Sequence, residues 1–327
     1  MRHQLYRMSH SYILILVMSF VMASCATRIK VPVTRPAEIN LRGINKMMIG
    51  EIKGNGGQVI SDLITSELFR TGKFEIVDRA NLDKIMKEHE LNLSGVVDER
   101  TAAEMGKIVG AAVLLTGNVS LYKTEQKNTV SQQWKDKEGG IHQTHYKTAT
   151  AKVNVALNVT GLTTGRILAS KTISETAQRQ TSADNVWPED PDADAAMGEA
   201  VNRTVYVFIK MIAPYTEYVN VTFASRKKSL PELEKGEKFA IAGRWSDAIE
   251  QFKLATQKEP TYDGAWWNLG LAYEYSNMFK EAEDSLNEAY KINQKQEYLN
   301  EINNVKRLSA ERKKLEEQGA LESTGRD

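Results

Sequence analysis

Cys25 is the only cysteine in the 327-residue chain, so it has no partner for an internal disulfide. Its nearest histidines in sequence, His3 and His10, lie in a segment that reads as a cleavable leader, so no metal site is expected at the thiol either. Covalent modification is what remains for it. Other groups invite chemistry and then withdraw it. His142 and His145 are three apart in a hairpin tip or strand, which sends them to opposite faces, unlike a helical metal-binding pair. Asp190, Asp192 and Asp194 alternate like the start of a calcium loop. However, Ala195 stands where the glycine belongs and Val201 where the bidentate glutamate belongs, so an acidic helix N-terminus is the better reading. Gly54-Asn55-Gly56-Gly57 could cradle a phosphate, yet no Gly-Lys-Ser/Thr follows, and a tight turn is expected. No serine, cysteine or carboxylate pair is arranged for catalysis; neither an enzyme nor a cofactor is expected.

The neighbours of Cys25 say what modification to expect. Arg2, His3 and Arg7 form a basic start, and Ile13 to Met22 is an apolar core well short of the ~20 residues that span a bilayer. Met22-Ala23-Ser24-Cys25 then resembles the bacterial lipobox, in which the cysteine thiol receives diacylglycerol before cleavage, with Met22 in place of the usual leucine. Residues 1–24 are thus expected to be a signal peptide and Cys25 the lipid-bearing first residue of the mature chain. Ala26, rather than an Asp, follows it, which by the enterobacterial sorting rule favours the outer membrane, facing the periplasm. With 43 basic and 42 acidic residues mixed along the chain, no electrostatic footprint for nucleic acid is present.

Residues 25–45 carry Pro32 and Pro36 with no helical or alternating pattern and read as a tether. A first domain is expected over 46–223, an α/β fold of mixed sheet flanked by helices. "KMMIGEI" reads as a buried strand, and Val59, Ile60, Leu63, Ile64 and Leu68 as one helix face after the glycine turn. "FEIV" reads as a second strand. A helix carrying Leu82, Ile85 and Met86 follows, then another over Thr101–Val109 with Thr101 and Glu104 as a capping box. "AAVLLTGNVSL" is a central strand with a polar extension. Val153, Val155, Leu157 and Val159 alternate with smaller or polar residues, and "TTG" turns the chain back into Arg166–Ile173. A helix opened by Asp194 ends before Pro214.

From residue 229 the texture becomes all-helical, with a 34-residue repeat that aligns Gly236 with Gly270, Ala248 with Ala282 and Phe252 with Leu286. Residues 229–308 resemble tetratricopeptide repeats with a capping helix around Tyr298–Leu308, and 309–327 read as a charged, solvated helix fraying into a tail. Such repeats bind proteins, so a protein partner or export substrate is expected here, with Trp266, Trp267 and Tyr273 as candidate contact residues; of the adjacent Trp266 and Trp267, one is expected to pack in the repeat, with Trp267 as a candidate to face a groove.

The stretch from "TGKFEIVDR" through "LDKIMKE", "LSGVVD" and "GKIVGA" to "LLTGNV", together with "VNVALNVTGLTTGRILASKT", resembles the curli production assembly/transport component G family. The resemblance covers about residues 46 to 215. It implies an outer-membrane lipoprotein whose periplasmic α/β domain forms a homo-oligomeric ring and whose hairpins join a shared β-barrel. Read on its own residues, Val119–Trp134 offers no apolar face in either parity and Ser174–Asp184 is "SETAQRQTSAD", which predicts hairpins that stay in water. Two functions follow. One is export or assembly of surface fibre or envelope components, with the helices recruiting a partner. The other is a monomeric lipoprotein that activates a cell-wall synthase without forming a channel, because activators of penicillin-binding proteins share a related α/β domain.

Overall fold

A computed structural model describes residues 27–77 and 112–321. Cys25, the leader, the two helices expected between residues 82 and 109, and most of the stretch that carries the family resemblance lie outside the described residues. The chain divides into two compact units: Pro36–Tyr215 with the chain from Leu315, and the chain up to Arg35 with Thr216–Lys314.

In the first unit, described strands β2 (Lys46–Lys53), β3 (Glu75–Val77), β4 (Ala112–Val130), β7 (Thr144–Gly161) and β8 (Ile167–Asp184) form a sheet in the order β3-β2-β4-β7-β8. β2 runs parallel to β3 and β4, while β4, β7 and β8 are antiparallel. Helices α1 (Gly57–Thr71) and α2 (Ala193–Ile212) pack against each other and against the strands. The alternation along β7 explains the layering: Ala151, Val153, Val155, Leu157 and Val159 are buried beneath the helices, and the intervening residues are half-exposed. The glycine turn is tight for a steric reason. Gly54 and Gly56 have φ of +92° and +76°, and a Cβ on Gly57 would stand 1.9 Å from the Ile52 carbonyl oxygen. Asp192 caps α2 by accepting a hydrogen bond from the Ala195 amide at 2.8 Å and Asp194 lies in its first turn, so two of the three acidic residues serve a helix start, while Asp190 pairs with Lys147.

β8 does not stop at Ile173 but runs on to Asp184, paired with β7 as far as Thr144. β4 likewise extends to Val130 opposite His145. These far halves are held by polar pairs such as Lys152–Glu125 and Lys147–Asp190, each at 2.7 Å. The remaining short strands, β5 (Trp134–Lys135) and β6 (Ile141–His142), pair at the hairpin's end.

The second unit corrects the tether. Arg28–Arg35 is strand β1, paired with β9 (Tyr215–Thr222) in a two-stranded ribbon. The Phe223 amide donates to the Thr27 carbonyl at one end and Arg35 reaches Glu217 at the other, so the two strands run antiparallel. Ile29, Val31, Val33 and Arg35 form the covered row of β1, and Pro32 falls on the exposed row, where an edge ribbon tolerates it. Helices α3 (Pro231–Ile241), α4 (Trp245–Lys258), α5 (Asp263–Tyr275), α6 (Phe279–Ile292) and α7 (Gln296–Glu317) follow. α3 packs on α4 and α5 on α6. The 34-residue spacing becomes a spatial repeat: Gly236 lies against the Phe252 ring and Gly270 against Leu286. Val31, Val221 and Phe223 of the ribbon segment share one core with Phe252, Leu269 and Ile302. The charged segment from residue 309 continues α7 as the expected helix to Glu317, but it is not solvated all round: Leu315 and Gln318 are buried, because Leu308 and Leu315 continue the apolar stripe of α7. Among the described residues no helix is long and apolar enough to cross a membrane.

Candidate functional site

The second unit contains a groove of about 420 Å³ bounded by α5, α7 and the β1/β9 ribbon. α5 contributes Trp267, Leu271 and Tyr275, spaced four residues apart and therefore stacked along one helix face. Trp267 is fixed from two sides. Its indole N–H donates to the Thr222 carbonyl at 3.0 Å, and its ring lies 5.3 Å from that of Tyr298. Tyr298 is in turn held by its hydroxyl, which donates to Asp263 at 2.7 Å. The groove-facing aromatic is thus set by the ribbon and by both bounding helices.

The opposite wall is polar. Arg35, with its side chain only 7% exposed, donates to Glu217 at 3.0 Å and to Glu311 at 2.7 Å. Burial pulls its pKa down, but the two carboxylates outweigh that and hold it above the ordinary value. Arg307 donates to Glu311 and to the side-chain amide oxygen of Asn304. The Asn304 amide nitrogen donates to Glu274 at 2.8 Å and to Glu301 at 2.7 Å. Glu274, on α5 next to Tyr275 and not itself part of the lining, is 2% exposed, and its carboxyl is pushed up to about 9, first by burial and then by the charge of Glu301.

The three contact residues expected from the sequence part company. Trp267 lines the groove. Trp266 is half-buried, its indole N–H donating to the Pro260 carbonyl at 2.8 Å, and it is not part of the groove wall. Tyr273 is 7% exposed and belongs to the core between the helices, with the Lys253 ammonium over its ring. Arg35, Glu274, Glu301 and Asn304 do not stand out in the sequence, although Glu301, Asn304 and Leu308 carry a helical spacing that places them on one face of α7. His142 stacks on Trp134 and bonds Asp136 at 2.7 Å, and His145 meets Trp187 edge-on.

The family model described as curli production assembly/transport component CsgG matches residues 26–217, more than half of the chain. The chain belongs to the CsgG family. No curated protein matches it. Among solved structures it is similar to the PelC dodecamer from Paraburkholderia phytofirmans, with 10% identity over 57% of this chain and 99% of that one and a TM-score of 0.30. It is also similar to lipoprotein GNA1162 from Neisseria meningitidis, with 13% identity, 50% and 97% coverage and a TM-score of 0.28. A third is the C-terminal domain of LpoB from Salmonella enterica, with 12% identity, 40% and 84% coverage and a TM-score of 0.25. Membership of the CsgG family relates the chain to secretion and assembly. The match ends at residue 217, so α3–α7 and the Trp267 and Glu301 walls lie beyond the CsgG segment, while Val33 and Arg35 of the groove lie within it.

Proposed function

We propose that this CsgG-family chain is an outer-membrane lipoprotein facing the periplasm, anchored by lipid on Cys25 and acting in export or assembly of surface fibre or envelope components. Its helical unit is of the tetratricopeptide type and recruits a protein partner or export substrate, and the α/β units assemble into a homo-oligomeric ring. The observation that carries the recruiting role is the groove beneath Trp267, an open aromatic-walled site built on helices added to the CsgG segment.

The test is a photo-crosslinking residue at Asn300, an exposed position on the groove wall, in cells of the native host. A discrete protein adduct that disappears when Trp267→Ala is added supports the reading. An unchanged adduct in that background, or none at all, removes the groove as the recruiting site.

A second reading is favoured by the polar far halves of β4, β7 and β8. Lys152–Glu125 and Lys147–Asp190 are poor company for lipid, where a lysine costs about 2–4 kcal/mol at the midplane. On that reading the hairpins stay wet, and a monomer regulates a cell-wall synthase. Light scattering of the detergent-extracted protein with conductance in planar bilayers separates the two: a closed ring with stable conductance is the exporter, and a silent monomer is the regulator.

A further inference from the structure

Glu301 lines the groove, and the buried Glu274 is linked to it through the lining residue Asn304. Glu274 and Glu301 both accept from the single amide nitrogen of Asn304, at 2.8 and 2.7 Å. The second Glu274 carboxylate oxygen, Oε2, is buried and has no hydrogen-bond partner among the described residues. Neither carboxylate has a cation within 4.0 Å among the described residues. Arg35 is committed to Glu217 and Glu311, and Arg307 to Glu311 and Asn304. Two neighbouring carboxyls, one of them fully buried, are stable beside each other only when a positive charge or a proton stands between them. A proton plays that part here, since burial and Glu301 hold Glu274 protonated at neutral pH.

We infer that the groove recognises a cationic side chain, a lysine or arginine on an extended segment of a protein partner, through Glu301 backed by Glu274. Trp267 and Tyr275 on the facing wall complete the site. An ammonium or guanidinium is attracted to aromatic faces as well as to carboxylates, and its alkyl stem suits the apolar side formed with Leu271. An anionic ligand has less to hold it, because both arginines already donate to carboxylates of the protein. The inference rests on the partner-recruiting reading and names the chemistry of what is recruited.

The experiment uses the full chain in detergent and three fluorescein-labelled, C-terminally amidated peptides, Thr-Val-Xaa-Val-Thr with Xaa as Lys, Gln or Glu, read by fluorescence polarisation. The Lys peptide is expected to bind about tenfold or more tighter than the Gln peptide, and the Glu peptide weaker still. Glu301→Gln is expected to erase the Lys-over-Gln preference while leaving the melting temperature near that of the parent, and Glu274→Gln to reduce it. Equal binding of the Lys and Gln peptides overturns the cation site and leaves the groove standing as a docking surface. Preference for the Glu peptide, or no binding by any of the three at about 1 mM, also overturns it. The crosslink at Asn300 then decides separately whether the groove recruits a partner at all.

Discussion

The Trp267 indole donates its N–H to the carbonyl of Thr222 at 3.0 Å, which ties the ribbon strand that leaves the CsgG segment to the helices that follow it. Trp267→Phe keeps most of the ring contact with Tyr298 but orphans that carbonyl. It is expected to destabilise the chain by about 1 kcal/mol. Trp267→Ala removes the packing too and is expected to cost about 2 kcal/mol or more. Thermal melts followed by circular dichroism check both. Equal costs for the two variants would show that the hydrogen bond, not the ring, is what matters.

The two repeat glycines make a sharper steric claim. A Cβ on Gly236 would stand 2.4 Å from the Phe252 ring, and one on Gly270 would stand 2.7 Å from Leu286 Cγ. Gly236→Ala and Gly270→Ala are therefore expected to destabilise by about 1–3 kcal/mol each, despite alanine's better helix propensity. Gly198, in α2, has open space where a Cβ would go, so Gly198→Ala is expected to stabilise by about 0.5–1 kcal/mol. Denaturant midpoints for the three variants settle the contrast; three shifts of the same sign would contradict the packing.

Glu274 predicts how stability depends on pH. Its folded pKa is raised from 4.5 to about 9, by burial and then by Glu301, with Arg307 pulling the other way. The folded state thus keeps a proton that the unfolded state releases. This contribution is fully present below pH 4.5 and declines as pH rises through about 9. Glu274→Gln imitates the protonated acid, and its new amide can donate toward Glu301. The variant is expected to match the parent near pH 4 and to exceed it by about 1–3 kcal/mol at pH 9. Parallel melting curves for the two proteins across that range would mean that Glu274 is already ionised in the fold.

The α/β unit is legible in the sequence where periodicity is local. Val153, Val155, Leu157 and Val159 read as one buried row, and all four are at most 1% exposed. The repeat offset likewise marks Gly236 and Gly270 as equivalent positions, and both sit at helix contacts. The β1/β9 ribbon is not legible in the same way, because its pairing partners lie about as far apart in the chain as Arg35 and Glu217, and two-stranded pairing leaves no local mark. Ile29, Val31 and Val33 do alternate, but Pro32 and Pro36 mask that signal as a linker. The groove is half legible: Trp267 stands out by type, whereas Arg35, Glu274 and Glu301 acquire meaning only when β1, α5 and α7 meet.

Loss of the tether changes what lipid on Cys25 would do. Thr27 is already pinned: its hydroxyl donates to the buried Glu237 at 2.6 Å and its carbonyl accepts from the Phe223 amide at 2.9 Å. Only two residue steps, about 7 Å of extended chain, separate it from the thiol. A lipidated chain would therefore hold its helical unit against the bilayer rather than hang it at a distance. Cys25→Ala is expected to move the protein from the membrane fraction to the soluble periplasm. Inserting a flexible Gly/Ser segment of about 20 residues after Ala26 is expected to keep it membrane-bound while raising protease access at Thr27 and around the ribbon. Continued membrane association of Cys25→Ala would mean that another part of the chain holds the bilayer, and the extended strands β4, β7 and β8 would then be the place to look.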